Sequence, residues 1–176
     1  SEDFGDLRYD KIFTRKSVKE ILFFAVETLV NINNSIEYGD YNIPKYNFIE
    51  FQKEIMEITE YYFPHIKIYD KYLIKEFNFI WTEIFNNIKF EFNSFCHKDF
   101  NFNNLILIPS NDEHLKCGVI DYQGAFWGES SWDLFSLLED SRIMFTNEYN
   151  EYFIKYYYSK TKQNNNYEDF RYKYNF

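Results

Sequence analysis

Phe95-Cys-His-Lys-Asp-Phe-Asn-Phe-Asn-Asn-Leu-Ile-Leu-Ile108, followed by Gly118-Val-Ile-Asp-Tyr-Gln123, is the stretch around which the rest of the chain is arranged. It sets His97, Asp99 and Asn104 in the order H-x-D-x-x-x-x-N, then an apolar run, a polar turn, a second apolar run and a further carboxylate, Asp121. Read as short strands, Leu105–Ile108 and Cys117–Ile120 pair as a hairpin. The first leaves Asn104 at its start and the second delivers Asp121 at its end, so an antiparallel return brings the two side by side.

That spacing has a chemical reading. Phosphoryl transfer needs an oriented acceptor hydroxyl and divalent metal held against the donor phosphates, both by side chains that stay in place. One amide oxygen from Asn104 and one carboxylate from Asp121 suit Mg2+, which takes few protein ligands and completes its shell with phosphate and water. Asp99, on the intervening loop, is then free to accept a hydrogen bond from a hydroxyl as base or orienter. Each residue alone has a plainer reading: His97 as a packed core histidine, Asp99 and Asn104 as turn formers, Asp121 as a cap. Their combination at this spacing favours the phosphoryl-transfer reading, with His97 bracing the loop.

The stretch resembles the catalytic and metal-binding segments of the aminoglycoside phosphotransferase and choline kinase superfamily, relatives of the protein kinases that phosphorylate small molecules. Within that group His97-Lys-Asp-Phe-Asn-Phe-Asn-Asn-Leu105, Val119-Ile-Asp-Tyr-Gln-Gly-Ala125 and Trp132-Asp-Leu-Phe-Ser-Leu-Leu-Glu-Asp140 are similar to the bacterial anomeric kinases of N-acetylmuramate and N-acetylglucosamine. Glu2-Asp-Phe-Gly-Asp6 and Ile43-Pro-Lys-Tyr46 fit the same subfamily, whereas Lys98 stands where it usually has Arg and Gly124 where it has an acidic residue. The resemblance implies a mainly α fold with a small β-hairpin, the helical C-terminal lobe of the protein-kinase-like fold. It implies ATP and Mg2+ as cofactors, Asn104 and Asp121 on metal and nucleotide, Asp99 as the catalytic residue, and Asp133 tying its helix to the catalytic loop beside His97. The acceptor it implies is a small molecule, an N-acetylated amino sugar before an aminoglycoside or choline. A non-catalytic C-lobe binding module is the alternative from another class.

None of the five glycines, at 5, 39, 118, 124 and 128, forms a G-x-G, and no strand-rich stretch with a lysine precedes the first helix. The lobe that covers the triphosphate is therefore expected to lie outside residues 1–176. The resemblance implies that Ser1-Glu-Asp3 lies at the hinge between lobes, with 1–16 as hinge or connector, and that residues 1–176 are a C-lobe trimmed at both ends and inactive by itself. A chain of 176 residues is long enough to bury a core without disulfides. Its 21 Phe and 17 Tyr, beside many Asn, Ile and Lys, are residues with A/T-rich codons, so the aromatics are attributed to codon usage and not to a binding surface. A formal net charge of -9 argues against a nucleic-acid partner, which requires clustered Lys and Arg. The two cysteines, Cys96 and Cys117, lack paired metal-ligand spacing and read as buried free thiols. With no apolar run of about 18 residues and no signal-peptide pattern, the expectation is a cytoplasmic protein without a membrane partner.

Along the chain, Ser17-Val-Lys-Glu20 is a capping box, and Val18, Ile21, Leu22, Ala25, Val26 and Leu29 repeat at helical spacing. Asn31 to Lys45 reads as a loop. A second helix starts near Asn47, presents Phe48, Phe51, Ile55, Ile58 and Tyr62, and ends at Pro64; Asp70 caps a third. Phe90 to Phe95 alternates as a short strand, and Tyr122 to Ser131, with Gly124 and Gly128, reads as a loop. Ser131 opens a further helix, Glu148 to Tyr158 another, Lys160 to Asn166 is a polar linker, and a last helix starts at Tyr167.

Overall fold

The computed structural model describes residues 5–12, 18–108, 117–162 and 165–176. The first described helix, α1 (Tyr9–Ile12), is a single turn whose Tyr9 is fully buried against Phe102, ring centroids 5.9 Å apart. Just before it, Leu7 accepts a hydrogen bond from the Leu107 N–H at 2.8 Å, so the expected connector is stitched to the first strand of the hairpin. Its Leu7 and Tyr9 carried no periodic signal because they pair across the sequence and not along it.

Helix α2 (Val18–Ser35) is the central element, burying Ile21, Leu22, Phe24, Ala25, Val26, Leu29 and Val30. The capping box at Ser17 lies outside the described residues. The helix runs past Asn31, where a loop was expected, because its last turn has tertiary support. Asn34 donates to the Lys160 carbonyl at 2.9 Å and accepts from the Lys162 N–H at 3.3 Å, while Ile32 packs on the core.

Helix α3 (Phe48–Glu57) begins at its expected cap, where the Asn47 side chain accepts from Ile49 N and Glu50 N. It then widens into a π-helical turn, Ile58–Tyr62, and continues as α4 (Phe63–His65), which ends one residue past Pro64, where the end was expected. Proline removes a helical N–H and clashes one turn back. The wider turn, with Phe63 N bonded to Ile58 O, accommodates both defects. Asp70 caps α5 (Lys71–Asn87) as expected, and α3 and α5 pack against each other with no fully buried residue on either.

Two antiparallel pairs follow in place of one hairpin. Strand β1 is Ser94–Cys96, shorter and later than the alternation from Phe90 suggested, because Phe90 and Phe92 turn into an aromatic cluster with Phe85. Strands β2 (Leu105–Leu107) and β3 (Cys117–Val119) pair in the register Leu105↔Val119, and the residues between them lie outside the described set. Strand β4 (Phe126–Gly128), inside the stretch read as a loop, pairs with β1 with Cys96 opposite Phe126. The three residues between Gly124 and Gly128 were too short a signal for a strand. The segment around Tyr46 lies along its other edge through Tyr46 N to Trp127 O and Trp127 N to Pro44 O.

Helices α6 (Trp132–Leu138), α7 (Asn147–Lys160) and α8 (Tyr167–Tyr174) complete the main core around α2, with Leu134, Leu137, Phe153, Ile154, Tyr157 and Phe170 enclosed. A second, smaller cluster of Tyr46, Cys96 and Phe126 sits under α3 and α5. Both cysteines are buried free thiols, and burial pushes Cys117 up to about 12. Among the described residues no helix is long and apolar enough to cross a membrane.

Gly128 tests the second cluster. A Cβ there would lie 2.5 Å from Phe126 Cε2 and 2.8 Å from Cys96 Sγ, with no room on a strand buried on both sides. Gly128→Ala is expected to lose about 1–3 kcal/mol of stability, measured as a lower urea midpoint at unchanged slope.

Candidate active site

Strand β1 ends at Cys96, and the chain then turns sharply through Lys98, whose φ of 83° is left-handed. Such a conformation costs a non-glycine residue about 1–2 kcal/mol. It is held by one carboxylate: Asp133 Oδ2 accepts from His97 N at 2.6 Å and Oδ1 from Lys98 N at 3.1 Å. Asp133 is 2% exposed, and its bonds run across to the loop and not to its own helix. When the carboxyl is ionised these bonds are charge-assisted and roughly twice as strong as neutral ones.

The His97 ring is the second brace. Its Nε2 lies 3.0 Å from the Ile120 carbonyl. A carbonyl only accepts, so Nε2 carries the proton. Nδ1 is then the bare nitrogen, buried without a partner, and burial lowers the ring's pKa from its ordinary value. Neutral His97 thus ties the loop to the residue before Asp121, with its ring edge-on to Phe100 at 6.0 Å.

Asp99 follows, exposed. Its carbonyl accepts from Asn101 N and from Asn104 Nδ2, both at 2.9 Å. The Asn101 side chain accepts from Asn103 N at 3.1 Å, which starts the 3-10 turn Phe102–Asn104 leading into β2. Because Asn104 spends its amide nitrogen on the loop, its Oδ1 is left as the acceptor face. The Ile120 N–H to Asn104 carbonyl bond, 3.0 Å, sets Asn104 opposite Ile120, and Asp121 stands one residue beyond. Asp121 is exposed, left-handed at φ 69°, and its side chain does not cap the turn Tyr122–Gly124 that follows. The structure therefore gathers Asn104 and Asp121 at one end of the hairpin, with Asp99 bonded to the first and His97 to the neighbour of the second.

One carboxylate and one amide oxygen fit Mg2+, a hard cation that keeps several non-protein ligands. Among the described residues no group of three or more His, Cys, Asp or Glu forms a metal cluster, as a softer, fully protein-ligated ion would require.

Beside the loop lies a cleft of about 510 Å³, within the range of small-molecule sites. Lys98 and Asp99 line it, together with Phe51 and Ile58 of the α3 stretch, Trp81 of α5 and Trp132 of α6. Phe51, Ile55 and Ile58 of the apolar stripe read along this helix border the cleft, and aromatics attributed to codon usage form its walls. Its polar groups are sparse. Glu54 accepts from Tyr46 Oη at 2.5 Å, and burial, with this bond second, raises the Tyr46 pKa; Glu129 and Lys173 form a buried pair on another wall. Sequence reasoning missed Glu54, Glu129 and Lys173, because nothing in their local spacing shows that elements far apart in the chain converge.

Asp133 gives a test with a definite sign. Unfolded, its carboxyl ionises near 3.8; folded, burial pushes it up to about 7 against the pull of its two N–H bonds. Between these values the folded protein keeps a proton that the unfolded chain has released. The stability this contributes is complete at low pH and is lost as pH rises toward 7. Urea unfolding at about pH 5 and about pH 8 is expected to show wild type losing stability relative to Asp133→Asn across that interval. A gap that widens in favour of wild type would contradict it.

Residues 33–168, most of the chain, match the family described as ecdysteroid kinase-like. An N-acetylmuramate/N-acetylglucosamine kinase of Caulobacter vibrioides is 30% identical over 95 residues, which cover 54% of this chain and 24% of that protein. The likeness read from the sequence to amino-sugar kinases is thus present but partial. From the match over residues 33–168, the chain belongs to the ecdysteroid kinase-like family, within the protein-kinase-like superfamily.

Proposed function

We propose that this protein is an ATP- and Mg2+-dependent phosphotransferase that acts on a hydroxyl group of a small molecule. The observation that carries the reading is the position of Asp99. Its carbonyl holds Asn104 at the hairpin end, while the residue itself lines the cleft. Asp99 orients the acceptor hydroxyl and takes up its proton, a role that contributes roughly 10²–10⁴-fold in comparable sites. Asn104 Oδ1 and the Asp121 carboxylate hold the metal, and His97 and Asp133 keep the loop in its turn. When bound, ATP supplies the phosphoryl group and Mg2+ neutralises charge on its phosphates.

For the acceptor, the partial likeness to an N-acetylmuramate/N-acetylglucosamine kinase supports an N-acetylated amino sugar. The aromatic walls of the cleft, together with the family description, favour a second reading, a larger alcohol with apolar faces. A panel of amino sugars, ecdysteroids, aminoglycosides and choline, assayed by ATP consumption with phosphorus NMR of the product, separates these. An anomeric phosphate supports the amino sugar, whereas a secondary-alcohol phosphate on a steroid supports the second reading.

In a protein that carries both lobes, two substitutions test the residue roles. Asp99→Asn is expected to lower kcat by roughly 10²-fold or more while leaving nucleotide affinity nearly intact. Asp121→Ala is expected to abolish the Mg2+-dependent part of ATP binding in calorimetric titrations with and without the ion. Wild-type turnover in Asp99→Asn would sink the assignment of the base, and unchanged Mg2+ dependence in Asp121→Ala that of the metal ligand.

A further inference from the structure

We propose that Lys173, with Glu129 beside it, selects the acceptor by holding a second hydroxyl, remote from the one that reacts. The proposal rests on the phosphotransferase reading of the cleft. Lys173 comes from α8 and Glu129 from the end of β4, and both line the same cleft as Asp99. Their side chains are only 3% and 8% exposed. A lysine ammonium carries three donors and is rarely buried without full use of them. Here its carboxylate neighbours lie at 3.4 Å (Asp169), 3.8 Å (Glu129) and 3.9 Å (Glu91). These compensate its charge, but all are longer than ordinary N–H···O bonds, which fall within about 2.7–3.2 Å. Lys173 is thus neutralised without being saturated, on the wall of a cavity.

The chemistry around it narrows what it would take. Three carboxylates face one ammonium, so a phosphate or carboxylate on the acceptor would meet net negative charge. A hydroxyl suits both partners, because it accepts from the ammonium and donates to a carboxylate. Glu129 has capacity for this: of roughly four lone-pair positions, it commits two, to the Glu91 N–H at 2.8 Å and the Ser130 hydroxyl at 3.4 Å. Phe90, Phe92 and Trp132 provide apolar faces in the same cleft. The acceptor class is therefore a compact ring compound with an apolar face and at least two hydroxyls, one for Asp99 and one for the Lys173–Glu129 pair. A site built to bond a hydroxyl rejects an analogue without it, because its own polar groups are then left unpaired.

The cleft carries its own reporter. Of the three tryptophans, Trp81 and Trp132 line it and Trp127 does not, so quenching of intrinsic fluorescence reads occupancy without turnover. The probes are N-acetylglucosamine and analogues that each lack one of its hydroxyls. Wild type is expected to bind one analogue at least about tenfold more weakly than the parent. Lys173→Met is expected to bind parent and analogues alike, at the weaker level, and Lys173→Arg to restore discrimination in part. Since Lys173→Met leaves Glu129 buried without its cation, Glu129→Gln serves as a second variant of nearly unchanged shape and is expected to lose most of the discrimination. Wild-type discrimination in both Lys173→Met and Glu129→Gln would overturn the proposal, as would absence of quenching by every probe. In a protein that carries both lobes, hydroxyl-dependent binding without phosphoryl transfer from ATP would instead overturn the kinase reading and leave the anchor standing; transfer insensitive to Lys173 would do the reverse.

Discussion

One buried carboxylate organises the candidate site. The loop after β1 takes a left-handed turn at Lys98 that its side chain does not favour, and Asp133 holds the turn by accepting the N–H groups of His97 and Lys98. The cost of burying that carboxylate appears in its raised pKa. In return α6, which is packed on α2, fixes the direction in which Asp99 leaves the loop. His97 transmits the same constraint to β3 through the Ile120 carbonyl, so the hairpin end and the loop behave as one piece. Polar groups of one set, Asp133, His97, Asn104 and the backbone between them, join two apolar clusters that would otherwise meet only through side-chain packing.

The division of labour follows from this frame. The end of the hairpin offers a hard-oxygen pair with one negative charge, suited to a doubly charged cation and its phosphates. The cleft on the other side of Asp99 offers rings, two carboxylates and a buried ammonium, suited to an uncharged ring with few polar groups. Asp99 belongs to both sides through its backbone and its position. A phosphoryl acceptor and a phosphoryl donor need contrary surroundings, and in the proposed reaction the thickness of a single loop would separate them.

Much of the site was legible because its residues are close in sequence. His97 to Asn104 and the run to Asp121 form one hairpin-linked unit, and the caps at Asn47 and Asp70 are local chemistry that a sequence displays. What escaped the reading depends on distance along the chain. Strand β4 exists because β1 and the Tyr46 segment flank it, not because Phe126-Trp-Gly128 is a strong strand sequence. The π turn, Ile58–Tyr62, lies just before Pro64 near the helix end, and no local pattern marks it. The cleft gathers Tyr46, Trp81, Trp132 and Lys173 from four elements, and no periodicity in any one of them announces the others. Phe51 and Ile58 were correctly seen as an apolar face, but whether such a face meets a core or a cavity is decided by what lies opposite.

The α3–α5 pair has an evolutionary implication. These helices supply much of the cleft wall, yet neither contains a fully buried residue. Replacements on an element that buries little are cheap in stability, whereas the loop around Asp99 is bound to Asp133, His97 and α2 and tolerates little change. Descendants of such a chain could exchange the rings that line the cleft, one at a time, without disturbing the carboxylate proposed to meet the acceptor hydroxyl. Diversification of substrates around an unaltered reaction is what this uneven distribution of burial permits.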